Sequence, residues 1–129
     1  MRSFFIEATE GNFATPKVSF NLDTKEFVIE GESFIENTDG FYAPIIGWLE
    51  EFTDTAEEKI IFKFKFQYYN SSSAKSILRI LKLLKKHKTT FPDTHIYWYY
   101  PEGNEDLMQE GEDFKDLLGL DMYMVITPP

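Results

Sequence analysis

Residues 61–86 read IFKFKFQYYNSSSAKSILRILKLLKK, and the hydrophobic period changes inside them. Up to the tyrosines the period is two. Ile60, Phe62, Phe64, Phe66 and Tyr68 share one face, and Lys63, Lys65 and Gln67 share the other, as in a β-strand. From Ala74 the period is helical. At about 100° per residue Ala74, Ile77, Leu78, Leu81 and Leu84 form one face, widened by Ile80 and Leu83. Lys75, Arg79, Lys82 and Lys86 make a narrow stripe opposite. A strand thus hands over to a helix that buries more than half its circumference, and the handover is Asn70-Ser71-Ser72-Ser73.

The flanking segments continue the alternation. SFFIEAT (3–9) reads as a short strand, and KVSFNLDTKEFVIEG (17–31) as a hairpin: Val18, Phe20 and Leu22 alternate, DTK supplies the turn, and Phe27 to Ile29 returns. FYAPIIGWLEEF (41–52) has Phe41, Ile45, Trp48, Leu49 and Phe52 at helical spacing. Pro44, which has no amide hydrogen to donate, predicts that the regular helix begins close to it. THIYWYY (94–100) is a strand with aromatics on both faces. NEDLMQEGEDFKDLLG (104–119) is a helix with Asn104 as N-cap, Leu107, Gly111, Phe114 and Leu118 inward, and Gly119 as its stop. LDMYMVITPP (120–129) supplies the last strand.

Three strands followed by helix–strand–helix–strand–helix–strand require parallel neighbours and right-handed crossovers. The expected fold is α/β (α+β mixed), one domain over residues 1–129, with a mixed sheet and helices packed mainly on one face. Lysines and a glutamine on one side of the central strand agree, because a sheet covered on both faces would bury them.

Composition restricts the function. A chain of 129 residues, 43 % hydrophobic and 17 % aromatic, suits one packed core. Its 22 acidic and 13 basic side chains leave a net charge of −9, which repels a polyanion, so nucleic acid is not an expected partner. There is no cysteine, hence no disulfide, thiolate metal site or cysteine nucleophile. Glu7 and Glu10 interrupt the N-terminal apolar run before it reaches secretory length. No segment approaches the roughly 18 apolar residues of a membrane span. A cytoplasmic location without membrane attachment is expected.

The serines admit two readings. At a strand-to-helix turn the first amides of the helix lack partners, so Asn70 or any of Ser71 to Ser73 can cap them. The helix dipole also favours negative charge there, so a phosphate is the functional rival. A nucleotide-binding loop usually needs glycines for close backbone approach, and NSSSAK has none. A hydroxyl that becomes phosphorylated needs no glycine.

Three segments, EGESFIENTDGFYAPIIGWLEEF (30–52), FKFQYYNSSSAKSILRIL (64–81) and WYYPEGNEDLMQEGEDF (98–114), resemble STAS domains, the anti-sigma-factor-antagonist fold, and within them the SiaC-like branch of small bacterial regulators. The resemblance covers nearly the whole chain and implies a STAS-like fold. It implies a phosphoacceptor at the turn, as the first hydroxyl after an Asp or Asn: here Ser71 after Asn70, with Ser72 and Ser73 as alternates. It also implies three kinds of partner: a histidine-kinase-like Ser/Thr kinase, a PP2C-type phosphatase, and a diguanylate cyclase activated by the unmodified regulator. Ser73 stands where antagonist STAS proteins usually carry glycine, which fits the SiaC-like branch and weakens the analogy to sigma-factor control. Ile35 stands where that branch often has proline before its Glu-Asn pair, here Glu36 and Asn37. Partner contacts are expected from Tyr69, Asn70, Ser72, Lys75 and Arg79 around the turn, and from Glu36 and Asn37.

Other clusters have simpler readings. The Lys75–Arg79–Lys82–Lys86 stripe suits an acidic partner, but also a solvated helix face. The acids of EGNEDLMQEGED lack the register and turn glycine of a calcium loop, so no metal or cofactor is expected. His87 and His95 are the candidate bases for a serine nucleophile, and no G-x-S-x-G elbow accompanies them. His87 lies about 24 Å along the helix that Ser71 begins, at 1.5 Å per residue. His95 starts a strand, at the far end of the sheet from Ser71. No catalytic residue is assigned. The aromatics of YWYY suit partner contact or strand packing equally. Two functions remain: a binding module switched by phosphorylation, and a constitutive interaction or scaffold domain whose serines only cap a helix.

Overall fold

A computed structural model of the chain describes residues 1–128. The elements are β1 (Phe4–Ile6), β2 (Lys17–Asn21), β3 (Glu26–Ser33), α1 (Thr38–Thr55), β4 (Ile61–Tyr69), α2 (Ser71–Thr90), β5 (His95–Pro101), α3 (Glu105–Leu118) and β6 (Tyr123–Thr127). The strands lie in the sheet in chain order. β1, β2 and β3 pair antiparallel as the hairpin pattern requires, and β3 to β6 pair parallel. Each crossover steps in the same direction. Right-handed connections therefore lay all three helices on one face.

That face holds the core. Phe27 and Ile29 of β3, Phe62, Phe64 and Phe66 of β4, and Ile96 and Trp98 of β5 pack against Ile45, Leu49 and Phe52 of α1 and Ile77, Ile80, Leu81 and Leu84 of α2. Each such side chain contributes about 1.5–3 kcal/mol by leaving water. The opposite face carries Lys63, paired with Glu26 at 2.6 Å, and Lys65, whose ammonium lies 4.9 Å from the Tyr99 ring centre.

Two expectations need correction. Helix α1 begins at Thr38, well before Pro44, because Asn37 caps it: its side-chain oxygen accepts from the Gly40 amide at 3.1 Å. Pro44 sits in the second turn, where its missing donor affects the carbonyl of Gly40. Both residues are exposed, so the carbonyl is open to solvent and the lost bond costs little. The second correction concerns β4. Gly31 pairs with Phe66 but Glu32 pairs with Tyr68, leaving Gln67 as the extra residue of a β-bulge. Alternation inverts beyond it, so Tyr69 points into the core at 8 % exposure and Tyr68 points out at 51 %.

Helix α3 is seated by one close approach. Asn104 caps it, Gly119 ends it in the left-handed conformation, and the Trp98 indole N–H donates to the Leu107 carbonyl at 3.0 Å. A Cβ on Gly111 would fall 2.5 Å from the Trp98 ring, which is fully buried and cannot yield. Gly111→Ala is therefore expected to destabilise by about 1–2 kcal/mol, overpacking outweighing the usual gain of helix propensity. A urea midpoint at or above that of the wild type would contradict this packing.

At the far end of α2, His87 is 3 % exposed and lies between the rings of Phe52 and Phe91. Its Nε2 is 3.1 Å from the Glu58 carbonyl, an acceptor only, so Nε2 carries the proton. Burial lowers its pKa below 6.5, against the smaller upward pull of that carbonyl. The unfolded chain then binds more protons just below pH 6.5, so stability is lost as pH falls through 6.5 toward the folded value. The wild-type denaturation midpoint should drop between about pH 7 and pH 5 more steeply than that of His87→Gln, which cannot titrate. Parallel pH profiles would remove His87 as the cause.

Candidate functional site

β4 ends at Tyr69 and α2 starts at Ser71, so Asn70 alone makes the turn. Its backbone is extended (φ −82°, ψ 169°), and its Oδ1 accepts from the Ser73 amide at 3.0 Å, which satisfies one of the free donors of the helix. The other end of the side chain reaches sideways, Nδ2 donating to the Ile35 carbonyl at 3.1 Å. The Asn70 amide donates to the Ser33 carbonyl at 3.0 Å. One asparagine thus caps α2 and fastens the segment between β3 and α1.

The three serines have different surroundings. Ser73 is fully buried, its Oγ 2.6 Å from Asn70 Oδ1 and 2.9 Å from Ser33 Oγ, which is in turn 2.7 Å from the Tyr42 hydroxyl. One proton per hydroxyl is satisfied if Tyr42 donates to Ser33, Ser33 to Ser73, and Ser73 to Asn70. Burial pushes the Tyr42 pKa up to about 12, against the downward pull of the nearby Ser33 and Ser73 hydroxyls, so the phenol stays protonated as a donor. Ser72 is exposed, yet its Oγ lies 2.7 Å from Thr38 Oγ1 and 3.1 Å from Asn70 Oδ1. This bond brings the amino ends of α1 and α2 together. Ser71 differs from both: it is exposed, and its hydroxyl makes no hydrogen bond among the described residues.

Ser71 lies on the rim of a hollow of about 300 Å³ shared with Tyr69, Ala74, Glu110, Asp113 and Phe114. The Tyr69 hydroxyl is buried near Glu110 without hydrogen-bond geometry to any described residue. Burial first, and that carboxylate second, push its pKa up. Two helix amino ends and two carboxylates therefore compete over any charge placed on Ser71.

The remaining residues expected to contact partners are spread out. Glu36 is exposed beside Asn37, whose side chain is committed to capping α1. Lys75 and Arg79 are exposed along α2. Tyr69 is buried in the core against Phe66 and Trp98. His87 and His95 are remote from the turn, His95 lying beside Ile61 at the opposite end of β4. Among the described residues no three His, Cys, Asp or Glu side chains converge to hold a metal, and no helix is long and apolar enough to cross a membrane. Sequence reasoning passed over Ser33, Thr38 and Tyr42. Ser33 did carry a signal, since it is a polar residue in phase with Phe27 and Ile29 on the core face of β3.

Residues 6–126 match the family described as SiaC family regulatory phosphoprotein. The chain belongs to the SiaC family. Its members are regulatory phosphoproteins, so the protein is a regulator rather than an enzyme. An uncharacterized protein of Pseudomonas aeruginosa (strain UCBPP-PA14) is 24 % identical over 106 residues, 82 % of this chain and 84 % of that one. The fold matches SiaC of Pseudomonas aeruginosa with a TM-score of 0.80 at 22 % identity over 100 % of both chains. It also matches a chain of the crystal structure of diguanylate cyclase SiaD in complex with its activator SiaC from the same organism, with a TM-score of 0.79 at 22 % identity, covering 96 % of this chain and 100 % of that one.

Proposed function

We propose that this SiaC family member is a partner-switching regulator whose unmodified form binds and activates a diguanylate cyclase, and that Ser71 carries the phosphate that ends the contact. One observation carries the choice of residue: Asn70 does the capping, so Ser71 is left exposed with no hydrogen bond to any described residue. Ser73 is reached only by opening the turn, and Ser72 only by breaking its bond with Thr38. The cyclase is suggested by the complex of SiaD with its activator SiaC in Pseudomonas aeruginosa.

In the forward step a histidine-kinase-like Ser/Thr kinase transfers the γ-phosphoryl group of ATP to Ser71 Oγ. The hydroxyl proton goes to a base of the kinase, and ADP leaves. A metal-dependent PP2C-type phosphatase directs water to the phosphorus and restores the hydroxyl, releasing inorganic phosphate. The regulator contributes position and exposure to both steps. The use of ATP by the kinase and of GTP by the cyclase suits a cytoplasmic cycle, and the regulator's part in it is taken by a single domain.

The test is peptide mapping after reaction with the host's cognate kinase, beside a cyclase assay with and without the regulator. Phosphate on the peptide holding Ser71, lost in Ser71→Ala, and cyclase activation by the unmodified form alone are expected. Undiminished label in Ser71→Ala would move the site to Ser72 or Ser73. Equal activation by both forms would leave a constitutive binding domain.

A further inference from the structure

Beside the serine turn the surface carries an exposed aromatic ladder. Phe13, Phe34 and Tyr68 are 55 %, 42 % and 51 % exposed. The Phe13 and Phe34 rings stack with centroids 6.3 Å apart and 7° between planes, and Tyr68 lies 6.0 Å beyond Phe34. The three come from separate segments, and the turn ties them together. Asn70 holds the carbonyls on both sides of Phe34, those of Ser33 and Ile35, and the Phe34 amide donates to the Ala14 carbonyl at 2.9 Å, next to Phe13. Tyr68 faces outward only because of the bulge at Gln67. Adjoining the ladder is a groove of about 340 Å³ whose charged lining residues are Glu10 and Glu32. Neither makes an ion pair among the described residues, and Glu36 stands exposed two residues beyond Phe34.

Contiguous exposed aromatics rimmed by charge mark a protein contact. A second copy of this chain would bring a net charge of −9 and the same carboxylates to the contact. At Phe34 the amide is engaged by the Ala14 carbonyl and the carbonyls on either side are engaged by Asn70, so an added strand has few groups to pair with there, whereas a helix satisfies its own backbone and needs only side-chain contacts. We propose that the Phe13–Phe34–Tyr68 ladder docks a basic amphipathic helix of a protein partner, its apolar side chains lying between the rings and its Arg or Lys side chains meeting Glu10, Glu32 and Glu36 or lying over the aromatic faces. The proposal rests on the reading that the protein acts by binding a partner, and it names the surface used. Asn70 links that surface to Ser71.

The probe is a synthetic Leu/Arg amphipathic helix of about 18 residues, long enough to stay helical, titrated into the full chain in about 0.15 M salt. Saturable shifts of the amide resonances of residues 10–15, 32–36 and 67–70 are expected. Phe34→Ser/Tyr68→Ser leaves the net charge unchanged and should weaken binding about tenfold or more. Phe13→Ser provides the same test should the pair unfold. Glu10→Gln/Glu32→Gln should weaken binding several-fold. No saturable binding, equal affinity for the ring variants, or shifts centred elsewhere would overturn the ladder. Full affinity for the Gln pair would overturn the partner's basic character. Kinase labelling of the same variants keeps the readings apart. Ring variants labelled normally but unable to bind the helix support the ladder, whereas labelling that never reaches Ser71 removes the switch and leaves the ladder standing.

Discussion

Phosphorylation of Ser71 is expected to weaken binding of the cyclase by about 100-fold or more while moving the melting temperature little. The two effects separate because the charge has different surroundings in each state. In the isolated domain the added charge of about −1.5 to −2 meets the converging amino ends of α1 and α2, a favourable setting. Glu110 and Asp113 across the hollow oppose it, so the sum is small. Under a bound partner whose cations are taken up by Glu10, Glu32 and Glu36, the dianion has to be desolvated without a counter-charge of its own, which costs several kcal/mol, and each 1.4 kcal/mol is about tenfold. Ser71→Ala removes a hydroxyl that bonds to no described residue, so it should stay within about 0.5 kcal/mol of wild-type stability and activate constitutively. Ser71→Asp should weaken binding only partly, having one charge and fewer acceptor oxygens. Calorimetry on both forms with and without the cyclase checks all of this. Equal affinities would end the switch, and a collapsed melt would mean that the phosphate acts by unfolding.

The fold was legible because each element states its period. Phe62, Phe64 and Phe66 against Lys63 and Lys65, and the wide apolar face of α2, require a strand and a helix whatever the tertiary context. Asn104 and Gly119 bound α3 by the chemistry of helix ends alone. What could not be read depends on pairing across the sheet. The inversion of Tyr68 and Tyr69 follows from one extra residue opposite Gly31 and Glu32, and the sequence of β4 taken alone has no mark of it. The early start of α1 was obscured by Pro44, whose usual penalty does not apply where the carbonyl it would have satisfied is open to water. At the site, Ser71 was separable from its neighbours only as the first hydroxyl after Asn70. The reason it differs lies in Ser33 and Thr38, 40 and 34 residues distant in the chain, which engage Ser73 and Ser72.

Asn70→Ala is the substitution of the turn expected to matter most. It removes the cap from the Ser73 amide, which costs about 1 kcal/mol. It also strips a donor from the Ile35 carbonyl and an acceptor from Ser73 Oγ, each worth roughly 1 kcal/mol when no replacement forms. Replacements do exist: Thr38 Oγ1 also donates to Ile35 at 3.3 Å, and Ser73 Oγ can turn to the Ser33 carbonyl at 3.1 Å. The expected net loss is therefore about 2 kcal/mol rather than 3, lowering the melting temperature by roughly 6–8 °C. Asn70→Asp keeps the cap oxygen and suits the helix dipole, but it sets a carboxylate oxygen against the Ile35 carbonyl, so its stability should fall between those of the wild type and Asn70→Ala. The functional consequence reaches further than stability, because Asn70 also fixes the segment carrying Phe34. In Asn70→Ala the Ser71 hydroxyl remains available to a kinase and the backbone bonds to Ser33 and Ala14 persist, but the segment after Phe34 loses its side-chain tie at Ile35, so partner affinity should fall several-fold with no phosphate present. Wild-type affinity in a folded Asn70→Ala protein would show that Asn70 serves the helix alone and that turn and ladder are mechanically independent.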